Sequence, residues 1–600
     1  MKKIYFTLGI VLLVILACNP SKEKTYPDAD AVYLNLTKTF TLNSDGSIVS
    51  TVIKKQKLLT YHAFQSLYGE TRIDYNPDYQ KLEILEANTL NPQNKIIKTP
   101  DNGYNDLLPA FCKDSKAYSR LREMVVSHTG IERNAVVNCS YKLTTGPGKL
   151  PFLMGIEELQ TDCPAENLSI VIKVPSGKAL NYMLINVKSE PKLEHEQGFD
   201  SYSWNFSDVP QRVREYRSAS VCQDVPTLLF STQPGRQSVL DWFARNMSVP
   251  SVVDDGMMKY IKQAISDKKT VEEKVLKIQD IVVNELKTLN IPGSLVAFQS
   301  RTPGEVWQSN SGTSFEKTRL LDALLKSVGM KSEICLNIPD CCASEGSPFM
   351  LMSEPLVKNT NTDGSVFLLS ASTLNSGNYD LHYPGGKIIP LESPSKEFNP
   401  VVRSGQITFE GKLIISDAGQ ISGDVTGKFS NSSNPCFDLL RNPENCSGFL
   451  SGAKGKLVSL KSEQSEIVFK ASNDSLVKRG DFRFAELKEC KTGLASLHLS
   501  VLPFRRIGQL NLGSQINEQY HYSYKVPSGY ELVNPVKIDF DKPGIGHVII
   551  LLNQSGNLIE VTRGVELLKP EILPADYPSF KELMDKWNTH KFRQLILKKV

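Results

Sequence analysis

Alternation of apolar and polar residues dominates the first part of the chain. Val32, Leu34 and Leu36 alternate with Tyr33, Asn35 and Thr37, which predicts a strand with one row on a core face. Asn43-Ser44-Asp45-Gly46 has the residues of a tight turn, and Ile48 to Ile53 resumes the strand. Further strand-like runs surround Leu82 to Leu85 and Leu168 to Val174. From Ala31 to about Phe243 the pattern predicts a β-sandwich.

The period changes near Val252. Thr270-Val271-Glu272-Glu273 reads as a capping box, in which threonine and glutamate satisfy the free amides of a helix start. Val275, Ile278, Val282 and Leu286 then recur at helical spacing. After Gly312, Leu321, Leu324, Leu325 and Val328 share a second helical face, which Gly329 ends. Strand-like segments follow at Lys331 to Leu336 and Val366 to Leu369, so the middle of the chain is α/β. From about Val401 to Lys569 the pattern is strand-like again. A helix is predicted at Ser579 to Trp587 and a last strand at Arg593 to Leu597.

One phrase occurs twice. Lys173-Val-Pro-Ser-Gly177 leads to Leu180, and Lys525-Val-Pro-Ser-Gly529 leads to Leu532. Each follows an alternating strand, and the proline and glycine suit a turn. We read it as the two β domains using a similar strand and turn; chance is the rival for so short a match.

The amino-terminal residues add chemistry that periodicity does not carry. Lys2 and Lys3 precede an apolar run from Ile4 to Ala17. A bilayer span needs roughly 20 apolar residues, so the run has the length of a secretory signal. It ends Ile15-Leu16-Ala17-Cys18, which resembles the lipobox of bacterial lipoproteins. That resemblance implies cleavage before Cys18, diacylation of its thiol and acylation of its new amino group. Asn19 stands where an aspartate would signal inner-membrane retention, which favours the outer membrane, facing either the periplasm or the outside. Asn19 to Tyr26 is polar and reads as a tether.

Composition narrows the function classes. The 600 residues suit about three or four domains. The net charge of +4 is small for that length, and the basic residues are spread along the chain, which argues against a nucleic-acid partner. Of eleven cysteines, ten follow Cys18, and export permits disulfides. Cys436 and Cys446 flank a short loop whose closure would contribute about 2–3 kcal/mol; Cys163 with Cys222 and Cys112 with Cys139 are weaker pairings. No Cys-x-x-Cys and no His-Glu-x-x-His occurs, and no metal or other cofactor is expected. Gly452-Ala-Lys-Gly455-Lys456 lacks the first glycine and the final hydroxyl of a phosphate loop.

A family resemblance appears in the middle region. Arg301-Thr-Pro-Gly-Glu-Val-Trp307, Asn310-Ser-Gly312, the helix Phe315 to Val328 and the strand Lys331 to Leu336 together resemble the core of the transglutaminase-like (papain-like) superfamily. Ile73-Asp-Tyr-Asn-Pro77, Ala87-Asn-Thr89, Leu502-Pro-Phe-Arg505 and Pro574-Ala-Asp-Tyr577 resemble the β domains that flank this core in one branch. The resemblance implies a multidomain α+β chain: signal peptide 1–17, tether 18–30, β-sandwich 31–245, transglutaminase-like α/β domain 246–400, and a β-rich domain 401–600 ending in a short helix and strand.

Active members place a cysteine at the start of the core helix, where free amides and the helix dipole favour a thiolate. A histidine on a following strand takes the proton, and an aspartate on the next strand orients it. This sequence departs at each position. Ser314 stands in the cysteine's place, no histidine occurs between His195 and His382, and Gly364-Ser-Val-Phe-Leu-Leu369 leads to Ser370 instead of aspartate. The strand that should carry the histidine falls near Met350 to Val357. Thr313 with Glu316 forms a second capping box, so the structural role is favoured for Thr313 and Ser314. Cys335 reads as a core thiol, Cys341-Cys342 as loop or disulfide residues, and His382 with Asp380 as a loop pair.

The expectation is a lipid-anchored envelope protein with a catalytically degenerate domain that binds a peptide, a glycan or a partner protein. Two rivals stand beside it: a cysteine peptidase or transglutaminase-like hydrolase with a relocated Cys-His pair, and a purely structural envelope protein.

Overall fold

The structure is a computed structural model that describes residues 24–64, 66–218, 225–246, 251–362, 364–374, 386–392, 396–399, 404–461 and 463–600. The apolar run Ile4 to Ala17 expected to be a signal, Cys18, Cys222, Asp380 and His382 lie outside these residues. The described chain is mostly β, in several packed bodies.

The amino-terminal body is built on an eight-stranded sheet. Its centre is the hairpin Ala31–Leu42 and Ile48–Leu58, turned at Gly46 with φ 83°. A bulge between Tyr33 and Asn35 interrupts the predicted alternation, so Val32 and Leu36 are buried whereas Leu34 is half-buried. Strand Ala165–Pro175 lies parallel to the first hairpin strand, and Phe199–Val209 antiparallel to it. A three-stranded sheet of Met154–Glu158, Asn181–Ile185 and Thr227–Ser231 covers one face, with Leu228 and Phe230 against Ile170, Ile172 and Trp204. The strand pattern stops before Phe243: Arg236–Asn246 is a helix, and its Val239, Leu240 and Phe243 pack with Phe298, Leu336 and Phe349 of the middle region.

The carboxy-terminal body repeats this plan. Hairpin Gly405–Ile415 and Gln420–Ser430 is flanked by Ile516–Lys525, parallel to the first strand, and then by antiparallel Leu558–Leu567. The repeated Lys-Val-Pro-Ser-Gly phrase therefore closes the equivalent strand of each sheet. Its glycine is left-handed in both, with φ 80° at Gly177 and 81° at Gly529. The shared phrase thus marks a shared topology. The last elements are helix Tyr577–Asn588 and strand Gln594–Lys599, close to their predicted places.

Between them stand helices Asp255–Ala264, Val271–Glu285, Pro303–Gln308 and Ser314–Ser327 and an antiparallel four-stranded sheet. The sheet order is Val366–Leu369, Glu354–Thr360, Lys331–Pro339, Gly386–Pro390. Helix Ser314–Ser327 is the core: Leu320, Leu321, Leu324 and Leu325 are fully buried against Val275, Ile278 and Val282 of one helix and Val357 and Leu369 of the sheet. Gly329, φ 82°, ends it as predicted.

The cysteine pairings are corrected. Cys436 and Cys446 are both free, as are Cys112, Cys139 and Cys163. Cys436 opens the short helix Cys436–Arg441, which turns toward helix Val271–Glu285; Phe437 enters that cluster and Arg441 Nε donates to Asp280 at 2.7 Å. Cys446 belongs instead to the carboxy-terminal core. Half-buried Cys436 thus sits beside a residue of one cluster while Cys446 is part of another, and the two thiols stay unbonded. Cys341, by contrast, is disulfide-bonded.

Candidate functional site

The start of the core helix is set locally. Strand Ser311–Thr313 pairs parallel with Lys287–Leu289 and delivers Thr313 as the cap. Thr313 Oγ1 accepts from the Glu316 amide at 3.3 Å, and the Glu316 carboxylate accepts from the Thr313 amide at 2.9 Å. The predicted capping box is formed, as is that of Thr270 and Glu273; Thr302 and Glu305 make a third. Gly312 is required by space, since a Cβ there would stand 2.9 Å from Val306 Cγ1 and 3.2 Å from Lys317 Cγ.

Glu316 does more than cap. Its side chain is fully buried and is held by Arg301, with Nε at 2.9 Å from Oε1 and Nη2 at 3.0 Å from Oε2. The Arg301 amide and the Tyr118 hydroxyl also donate to Oε1, at 3.0 and 2.5 Å. Burial alone would raise this carboxyl, but the hydrogen bonds and charge of Arg301, with Tyr118 and the Thr313 amide, outweigh it and hold the group below the usual carboxylate range. Tyr118 comes from the amino-terminal body, and its ring lies under the Arg301 guanidinium at 5.1 Å. Nearby, Asn76 Nδ2 of the Ile73–Pro77 motif donates to the Leu295 carbonyl at 2.8 Å. These contacts fasten the amino-terminal body to the head of the core helix. A cavity of about 440 Å³ opens there, lined by Tyr79, Tyr118, Arg120, Lys149, Gln299 and Arg301.

Lys317 is buried on the other side. Its Nζ donates to the Leu286 carbonyl at 2.8 Å and Thr288 Oγ1 at 2.7 Å, closing the carboxy-terminal end of helix Val271–Glu285. Burial pushes its ammonium down to about 8.

Ser314 is the first residue of the helix and is half-buried. Its Oγ lies 2.9 Å from Ser372 Oγ, in the loop after strand Val366–Leu369. Ser370 is buried; its Oγ accepts from the amides of Ser372 and Thr373 at 3.2 and 3.3 Å and donates to Glu354 Oε1 at 3.5 Å. Glu354 is the first residue of strand Glu354–Thr360. The structure thus gathers Ser314 at the helix start, Ser370 and Ser372 in the loop after strand Val366–Leu369, and Glu354 at the start of the neighbouring strand. Ser372 and Glu354 escaped the sequence reading. Glu354 stands inside the segment where the resemblance calls for a histidine, and its acidic character at a strand start is the available signal; Ser372 carries none.

The other sulfur atoms are not poised for chemistry. Cys335 is fully buried among Leu356, Leu368 and Ile388, and burial pushes its thiol up to about 12. Cys342 is buried and raised to about 11. Among the described residues no three His, Cys, Asp or Glu side chains are grouped to hold a metal ion, and no helix is long and apolar enough to cross a membrane.

Residues 44–213 match a family described as a domain of unknown function with a solved structure, DUF3857, and residues 501–597 match another so described, DUF3858. Both lie outside the core helix and its sheet. No curated protein matches the chain. Among solved structures, the crystal structure of a "putative protease" from Parabacteroides distasonis is 26% identical, with a TM-score of 0.72 over 95% of this chain and 99% of that one. A "putative cysteine protease" from Cytophaga hutchinsonii aligns at 12% identity over 60% of this chain and 82% of that one, but its TM-score of 0.18 gives it no weight. Over nearly its whole length, then, this chain, multidomain and mostly β, shares the fold of the Parabacteroides protein described as a "putative protease".

Proposed function

We propose that this is a bacterial envelope lipoprotein, attached through Cys18 to the outer membrane, whose transglutaminase-like domain has lost its Cys-His-Asp set. In this reading the domain binds a peptide, a glycan or a partner protein without cutting it. The observation that carries the reading is the helix start, where Ser314 Oγ meets another hydroxyl, Ser372 Oγ, at 2.9 Å. A serine hydroxyl is a poor nucleophile without an adjacent base, and a second hydroxyl is no base at neutral pH. Glu354 begins one neighbouring strand and Ser370 follows another, in the segments where the resemblance calls for histidine and aspartate, and they too supply no imidazole. The cavity beside Arg301 and Tyr118 supports a binding role over a purely structural one.

The Parabacteroides likeness favours a second reading, a peptidase, for which the sequence offers a cysteine hydrolase with a relocated pair. Against it, burial keeps the Cys335 and Cys342 thiols at about 12 and 11, far from a thiolate at neutral pH. One experiment separates the two. The purified protein is treated with a fluorophosphonate and, separately, a chloroacetamide probe, and modified peptides are mapped. We expect native labelling at Ser314 and Cys335 to be no higher than in a denatured control. Labelling above that control at either residue overturns the non-catalytic reading.

A further inference from the structure

The motif Leu502-Pro-Phe-Arg505 lies in a loop that has no part in the site described above. Three of the loop's apolar side chains face solvent: Val501 is 87% exposed, Phe504 92% and Ile507 65%. Exposure of this kind marks a docking surface only where the backbone is held, and here it is held tightly. Leu502 packs against the carboxy-terminal core. The Pro503 carbonyl accepts from the Tyr577 hydroxyl at 2.8 Å, which joins this motif to Pro574-Ala-Asp-Tyr577. Arg506 is buried, and its Nη1 donates to the Tyr216 carbonyl at 2.8 Å. The amides of Ile507 and Gly508 donate to the Glu215 carboxylate at 3.1 and 2.8 Å. The loop is thus a fixed tip, gripped from both β bodies.

We propose that Val501, Phe504 and Ile507 form a wedge that enters the surface of the bilayer holding Cys18, with Arg505 against anionic headgroups. The inference rests on the lipid attachment proposed above. Two observations choose a bilayer as the occupant. Arg505 beside Phe504 is exposed and, among the described residues, has no hydrogen bond or ion pair, which suits a headgroup phosphate next to a buried apolar ring. The anchored end of the chain is also close by. Lys24 is ion-paired with Asp208, and Glu215, which grips the loop, follows Asp208 by seven residues, a span of at most about 25 Å. Cys18 lies six residues before Lys24, at most about 22 Å of extended chain. The tether and the tip are thus tied to the same stretch of the amino-terminal body, between Asp208 and Glu215. A single acylated terminus leaves a protein free to swing; a second apolar contact would fix one face toward the lipid.

The test uses the acylated chain on vesicles of phosphatidylethanolamine with phosphatidylglycerol. With Phe504→Trp, the added indole should shift its emission to the blue and be quenched by brominated lipid, relative to the parent chain. An indole as open to aqueous quencher on vesicles as in free solution overturns the proposal. In the unacylated Cys18→Ser chain, vesicle flotation should fall at least about tenfold when Val501, Phe504 and Ile507 are all changed to Ser. Equal flotation of the two overturns it too, as does a self-association that the three changes abolish while the indole stays unquenched. Mass analysis of the amino-terminal peptide reads acylation separately. An unmodified Cys18 sinks the lipoprotein reading alone, because flotation of the Cys18→Ser chain still reports on the wedge.

Discussion

Glu316→Gln should loosen the head of the core helix far more than a surface change of the same kind. Glutamine keeps the shape and one acceptor oxygen, but it leaves the Arg301 guanidinium, only 16% exposed, without a counter-charge. Breaking a buried ion pair from one side costs about 3–5 kcal/mol, because the remaining charge stays desolvated. The weakened hydrogen bonds from Tyr118 and the Thr313 amide fall within that figure, since contacts sharing one carboxylate are not additive. Arg301→Met should cost a similar amount by stranding the carboxylate. The double variant should cost less than the sum by about 2 kcal/mol or more, because neither charge is then left alone. Hydrogen exchange measured on the Ser314–Ser327 segment reads local opening without assuming one cooperative transition for the whole chain. Protection there should fall by about two to four orders of magnitude in either single variant. The pH dependence has a definite sign. The folded carboxyl is held below its ordinary 4.5, so its contribution is complete above that pH and is lost as pH falls through the lower folded value. The gap between wild type and Glu316→Gln should therefore be constant from neutral pH to about 5 and close only below it. A fall in protection of less than about fivefold, worth some 1 kcal/mol, would refute the buried-pair account.

Three further outcomes follow from the same region. Lys317 is depressed from 10.5 to about 8 in the folded protein, so the folded state holds fewer protons between those values; stability relative to Lys317→Met should rise across that window, read as the difference in urea midpoint between pH 7.5 and 10. Gly312→Ala drives a methyl to within 2.9 Å of Val306 and should cost about 1–3 kcal/mol, seen as a lower thermal midpoint, whereas Gly304→Ala, where a Cβ meets nothing, should not. Ser314→Cys places a thiol at the helix start but adds no base, so it should react with iodoacetamide yet release no product from a casein substrate; turnover would show that a base is present after all.

The motif residues outside the core helix act as joints of the architecture. Asn76 of Ile73–Pro77 binds the Leu295 carbonyl, Arg301 binds Glu316, and Tyr577 binds the Pro503 carbonyl. Each joins one body or loop to another. A chain that keeps such joints keeps the assembly of its domains, whatever stands at Ser314. The likeness to the Parabacteroides protein over 95% of the chain accords with joints that hold the whole length together.

The sequence by itself determined what depends on near neighbours. Alternation marked the strands, Thr270 with Glu273 and Thr313 with Glu316 marked two helix starts, and Gly329 marked an end, because caps and periods act within a turn or two. The twice-used Lys-Val-Pro-Ser-Gly phrase even marked equivalent strands, since a left-handed glycine is demanded wherever that strand turns back. Only the tertiary structure decided which distant residues meet. Tyr118 reaches Glu316 across 198 positions, and Ser372 reaches Ser314 across 58, through packing of whole bodies that no local pattern encodes. The same reason leaves Cys436 and Cys446 as separate free thiols: Phe437, beside half-buried Cys436, follows the cluster around helix Val271–Glu285, whereas Cys446 is buried in the carboxy-terminal core.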